Sequence, residues 1–165
     1  MRPLERSLPA IVLFMPSYDA TGQYGWNSTD ILVKTPAKNY TVLDYQELFN
    51  DINFTNGYAF WLNGAKIIPN LGAPGVELLC IHVSEISTPG QIVYKNQSEF
   101  PDGTAEQVPD NGDGAVNIRS LQGCQRFKNM QTQKFIYKVM PFVSHGGMLF
   151  SKDFLNYLQN YLANL

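Results

Sequence analysis

The sequence predicts a mixed α/β fold, and three observations carry that expectation. Residues 76–83 and 134–140 are almost continuously apolar, rich in β-branched and aromatic side chains, as in strands covered on both faces. Residues 41–52 and 151–165 instead place apolar side chains at helical spacing behind a Thr or Ser suited to an N-cap. Buried strands alternating with helices make an α/β layer architecture. The 165 residues suffice for about one domain, and 44% hydrophobic with 16% charged residues excludes a disordered chain. A formal net charge of -2 offers no basic field for nucleic acid.

Taken in order, residues 10–15 read as a short buried strand closed by Pro16, too short to span a bilayer. Residues 1–6 do not read as a signal peptide, since no apolar core or small-residue cleavage site follows. Turn residues make 17–29 a loop, and 31–33 a short strand before a turn at Pro36. A helix starts at Thr41, with Asp44 three residues on, and aligns Val42, Tyr45, Leu48, Phe49 and Ile52. That face is expected to pack on its own domain, the alternative being a lid or partner-binding surface.

Residues 58–70, broken by Gly64 and Pro69, are expected to be irregular or a short hairpin. Pro74 and Gly75 open the strand at 76–83, Thr88-Pro89-Gly90 ends that segment, and 91–94 forms an edge hairpin. Residues 100–114 are turn-rich, and 134–140 is the second buried strand. The last helix, capped by Ser151, lines up Phe154, Leu155, Leu158, Tyr161, Leu162 and Leu165.

Two loops carry the chemistry. Asp113 sits in the turn Gly112-Asp113-Gly114, and His145 precedes Gly146 and Gly147, with one strand between the loops. A plain surface turn and a lone surface histidine are the bland readings of each. Hydrolases whose triad follows the order Ser, Asp or Glu, His would place their last two members this way. In such a triad the histidine takes the serine proton and the carboxylate orients it; Gly146 and Gly147 would give His145 a flexible perch. No serine stands in a Gly-X-Ser-X-Gly elbow, so the chain has no candidate nucleophile. A calcium loop fails, because with Asp113 at the fifth ligand position the first and last become Pro109 and Ser120. No metal or other cofactor is implied. His82, inside a strand, reads as structural. Sequons at Asn27, Asn39, Asn53 and Asn96 are more than chance predicts and mark candidate glycosylation sites of a secreted chain. Cys80 and Cys124 permit one disulfide without demanding it.

Several motifs occur in register with one family. Lys34-Thr35-Pro36, residues 39–45 and 48–54, Pro74-Gly75-Val76 leading to Cys80, Thr88-Pro89, Phe100-Pro101, residues 112–120 with Cys124, and 141–149 together resemble the lecithin–cholesterol acyltransferase family. Within it, the short tail after the last helix is most similar to the lysosomal phospholipases that also acylate ceramide. The resemblance implies the C-terminal portion of an α/β-hydrolase fold, with residues 1–73 from the cap or lid region and 74–165 carrying the acid and histidine loops.

It also implies Asp113 as triad acid, His145 as base, and a Cys80–Cys124 disulfide. The implied substrates are a phospholipid acyl donor with water or a lipid alcohol as acceptor. A membrane or lipoprotein surface would be contacted through an upstream segment, in a lysosomal or secreted protein. Three departures stand out: Ala115 replaces a threonine, Val83 and Glu85 replace glycines, and the serine elbow lies outside this sequence. Without that serine the chain alone is expected to be inactive. The competing expectation is a catalytically dead lumenal glycoprotein that binds lipid or a protein partner.

Overall fold

The computed structural model describes residue 4, residues 8–65 and residues 72–164. It is a mixed α/β chain that divides into two compact units, one of residues 1–73 with 91–108, the other of 74–90 with 109–165. The chain passes from one unit to the other after Ala73, Gly90 and Val108.

The first unit is built around aromatic side chains. Helix α1 (Tyr45–Asp51) buries the whole apolar face read from the sequence, with Val42 at 1%, Tyr45 at 1% and Phe49 at 0% exposure. The face packs on its own unit, against Trp26, Leu32, Tyr40 and Phe54, and is no lid surface. Phe49 stacks on Tyr45 at 5.8 Å and meets Phe54 edge-on at 5.5 Å. The helix starts four residues later than Thr41. Asp44 Oδ2 accepts from both Thr41 N (2.7 Å) and Thr41 Oγ1 (2.8 Å), so residues 41–44 close as a turn before the helix.

Helix α2 (Gly57–Ala65) occupies residues 58–65 of the stretch 58–70 expected to be irregular or a short hairpin, and 66–70 lie outside the described residues. Gly64 lies inside it, since a single glycine weakens a helix by only about 1 kcal/mol, and a Cβ there would meet the Leu13 side chain. Pro69 lies outside the described residues. The run at 10–15 is also not a strand. It forms a 3-10 helix, Pro9–Phe14, started by Pro9, which presets φ and gives up no needed donor there. Only Val12 of that run is buried, while Leu13 and Phe14 are exposed. Strand β1 (Val33–Lys34) pairs antiparallel with β2 (Asn39–Tyr40) and parallel with the end of β4 (Ile86–Val93), Val33 opposite Ile92.

The sheet order is β2-β1-β4-β5, with β5 at Glu106–Gly112. Thus β4 runs through Thr88-Pro89-Gly90, where a break was expected, and β5 lies within the stretch 100–114 expected to be turn-rich. As an edge strand β5 tolerates Pro109.

In the second unit β3 (Leu78–Ser84) and β6 (Phe135–Pro141) pair in parallel, from Leu78 opposite Phe135 to Ser84 opposite Pro141. Both were legible as strands, but their cover is partial. Only His82, Val83 and Ser84 of β3 and Met140 of β6 are buried. Helix α3 (Ile118–Leu121) begins at Asn117, whose Oδ1 accepts from Arg119 N at 3.1 Å, and continues into a 3-10 stretch, Gln122–Asn129. Cys80 in β3 is disulfide-bonded to Cys124 in that stretch, Cα atoms 6.5 Å apart.

Helix α4 (Lys152–Leu162) is capped by Ser151 Oγ, accepting from Phe154 N at 3.4 Å. Of its apolar face Phe154, Leu158 and Tyr161 are half-buried, Leu155 and Leu162 are exposed, and Leu165 lies outside the described residues. Polar contacts orient it instead: Tyr161 donates to Glu77 Oε1 at 2.6 Å, and Lys138 sits over the Tyr157 ring. Among the described residues no helix is long and apolar enough to cross a membrane.

Candidate active site around Asp113 and His145

The paired ends of β3 and β6 place the two loops. Phe142 N donates to Ser84 O at 2.8 Å, extending the pairing by one residue. Immediately past that point each strand turns through a left-handed non-glycine residue, Glu85 at φ 65° and Phe142 at φ 63°. Such conformations cost of order 1 kcal/mol or more and persist where surrounding contacts over-determine them. At Glu85 a non-glycine residue thus holds a turn that favours glycine. Glu85 N donates to Asn111 Oδ1 at 2.9 Å, and Asn111 Nδ2 to Glu85 Oε1 at 3.1 Å.

Asp113 comes next to this turn through a parallel bridge to Ile86. Its main chain is held at both ends: Asp113 N donates to Val116 O at 3.2 Å, and His145 N to Asp113 O at 2.8 Å. The side chain is 2% exposed. Oδ1 accepts from Ala115 N (2.9 Å) and Val116 N (2.7 Å), and Oδ2 meets His145 Nδ1 at 2.7 Å. Burial pushes the carboxyl pKa up, but the N–H donors of Val116, His145 and Ala115 outweigh it and hold it below the ordinary aspartate value. Backbone donors, not a neighbouring side-chain hydroxyl, therefore anchor Oδ1 of the acid.

The His145 side chain is 61% exposed, with Nδ1 on the carboxylate. A carboxylate only accepts, so Nδ1–H donates to Asp113. In the neutral ring this leaves the lone pair on Nε2, the atom that takes the hydroxyl proton in a triad. Gly146 has an ordinary φ of -77° with open space around it, and Met148 N donates to Ser144 O at 3.1 Å. Thus the structure brings Asp113 and His145 together.

His82 is 4% exposed, with Nδ1 donating to Val83 O (2.9 Å) and Nε2 on Tyr137 OH (2.5 Å). It is held in the strand, as its position in the sequence indicated. Among the described residues no group of three His, Cys, Asp or Glu could hold a metal ion. Asn39, Asn53 and Asn96 are exposed, while Asn27 is half-buried and its Oδ1 accepts from Thr29 N and Oγ1.

Two residues of the site were not singled out from the sequence. Asn117, 7% exposed, joins the acid loop to α3 by donating through Nδ2 to Asp110 Oδ2 at 2.8 Å. Thr88, 1% exposed, accepts from Gly114 N at 2.8 Å. Neither shows a pattern in the sequence, because each acts through a hydrogen bond to residues far along the chain or to a single turn.

No family model matches the chain. Curated relatives do. It is 34% identical over 137 residues to "Lysosomal phospholipase A and acyltransferase" of Rattus norvegicus, 83% of this chain and 32% of that protein. The Homo sapiens protein of the same name is 31% identical over 139 residues, 84% of this chain and 33% of that protein. "Phosphatidylcholine-sterol acyltransferase" of Gallus gallus is 30% identical over 126 residues, 76% of this chain and 30% of that protein. The chain spans about a third of the length of these relatives. By sequence it is a relative of the lecithin–cholesterol acyltransferase family, matching that share of a member's length.

Proposed function

We propose that the chain is the C-terminal part of a phospholipid acyl hydrolase and O-acyltransferase with an α/β-hydrolase fold. Residues 1–73 supply part of the cap or lid region, and 74–165 the part with the acid and histidine loops. The observation that carries this reading is the 2.7 Å bond from His145 Nδ1 to the buried Asp113 carboxylate, with the ring otherwise exposed. The half-covered β3–β6 pair fits a larger parallel sheet whose other strands belong to the two-thirds of the relatives not matched here. The serine nucleophile would come from the same portion.

In this mechanism the serine Oγ attacks the ester carbonyl of a phospholipid as His145 Nε2 takes its proton. Collapse of the tetrahedral adduct breaks the ester bond, and the lysophospholipid alcohol leaves with that proton. Water or a lipid alcohol then gives its proton to Nε2 and attacks the acyl-enzyme, and the serine is reprotonated. Asp113 holds the ring in the productive tautomer and stabilises the imidazolium. The sequons and the Cys80–Cys124 bond support an oxidising lysosomal or extracellular setting.

The test is acyl release from dioleoylphosphatidylcholine vesicles containing ceramide, by the full-length protein that includes this chain. His145→Ala and Asp113→Asn should each lower the rate on the order of 10³- to 10⁴-fold. Undiminished turnover by His145→Ala would overturn the assignment. An inactive wild-type protein that still binds the vesicles would favour the dead-glycoprotein reading instead.

A further inference from the structure

We propose that Thr88 is a positioning residue for the catalytic acid, a role that rests on the reading of Asp113 and His145 as acid and base. Thr88 is one of the most buried side chains of the second unit, at 1% exposure, and it is polar. Its Oγ1 donates to Ile86 O at 2.9 Å and accepts from Gly114 N at 2.8 Å. Both bonds end on residues that hold Asp113: Gly114 follows it directly, and Ile86 is its bridge partner. One hydroxyl thereby fastens the turn after the acid to the strand beside it.

The two glycines around Asp113 fit this arrangement. Gly114 has φ 94°, a conformation that favours glycine. A Cβ on Gly112 would clash first with Val116 O and would lie 2.5 Å from Thr88 Oγ1 and 2.9 Å from Thr88 Cβ, so the bare Cα admits both the acid turn and the threonine. The turn that Thr88 clamps is the one whose Ala115 and Val116 N–H groups hold Asp113 Oδ1. If Gly114 drifts, those donors drift with it, and the carboxylate no longer fixes the imidazole. A misplacement of about 1 Å in such a constellation costs on the order of 10²-fold in rate.

Thr88→Val keeps the volume and removes the hydroxyl, whereas Thr88→Ser keeps the hydroxyl and removes a methyl group. In the full-length protein, assayed on dioleoylphosphatidylcholine vesicles at a temperature below both melting points, Thr88→Val should lower kcat on the order of 10²-fold with KM unchanged. Thr88→Ser should restore most of that loss. Three results would overturn the inference: wild-type kcat in Thr88→Val, an equal loss in Thr88→Ser, or a loss that disappears once rates are normalised to folded protein. Asp113→Asn run beside them separates the two claims. If it is dead while Thr88→Val is fully active, only the positioning role falls. If Asp113→Asn is itself active, the reading of the site falls.

Discussion

Replacing both Cys80 and Cys124 by serine removes the covalent tie between β3 and the 3-10 stretch after α3. The two positions are 44 residues apart, and the loop they close contains Thr88, Gly112, Asp113 and Asn117. On the chain-entropy account, closing a loop of that length lowers the entropy of the unfolded chain enough to stabilise the fold by about 4 kcal/mol at 25 °C. That is a large share of the roughly 5–15 kcal/mol by which a domain is stable. Cys80 is only half-buried, so the serine adds little packing loss of its own. Urea unfolding of the full-length double variant, followed by far-ultraviolet circular dichroism, should show the unfolding free energy reduced by about that amount. A reduction below about 1 kcal/mol would refute the reasoning, because the unfolded chain would then gain little freedom from the cut.

Glu85→Gly should stabilise the protein by about 1 kcal/mol, since it relieves a left-handed residue and gives up only an exposed contact to Asn111. Thermal unfolding that shows no gain would mean the turn is held without strain. Phe49→Ala should cost about 3–5 kcal/mol, as the ring is fully buried between Tyr45 and Phe54. A loss under about 1 kcal/mol in denaturant titration would show that the aromatic cluster is not the core of its unit.

What the sequence made legible follows the physics of each element. The face of α1 could be read because five apolar residues at helical spacing have one way to be buried together. Strands β3 and β6 could be read from their dense β-branched and aromatic content. By contrast β5 is hidden, since residues 106–110 are exposed and mostly polar, and backbone pairing leaves no apolar signature. The 3-10 helix at Pro9–Phe14 and helix α2 are hidden in the sequence for different reasons. A short apolar run carries no period of its own, and Gly64 reads as a breaker because its proximity to Leu13, 51 residues earlier, leaves no mark in the local sequence.

The site divides in the same way. Asp113 and His145 stand out because an acid in a glycine turn and a histidine beside glycines are recognisable types across one strand. Thr88 does not, because its hydroxyl bonds only to main-chain atoms, of Ile86 nearby and of Gly114, 26 residues on, and these leave no pattern in the sequence.

The central claim is that Asp113 and His145 together activate a serine, and a fluorophosphonate probe tests it without assuming any lipid. The full-length protein should be labelled at one serine within a Gly-X-Ser-X-Gly segment, identified by peptide mass spectrometry. His145→Ala should slow that labelling on the order of 10³-fold or more. Labelling at an unchanged rate in His145→Ala, or at no serine in the wild-type protein, would contradict the account.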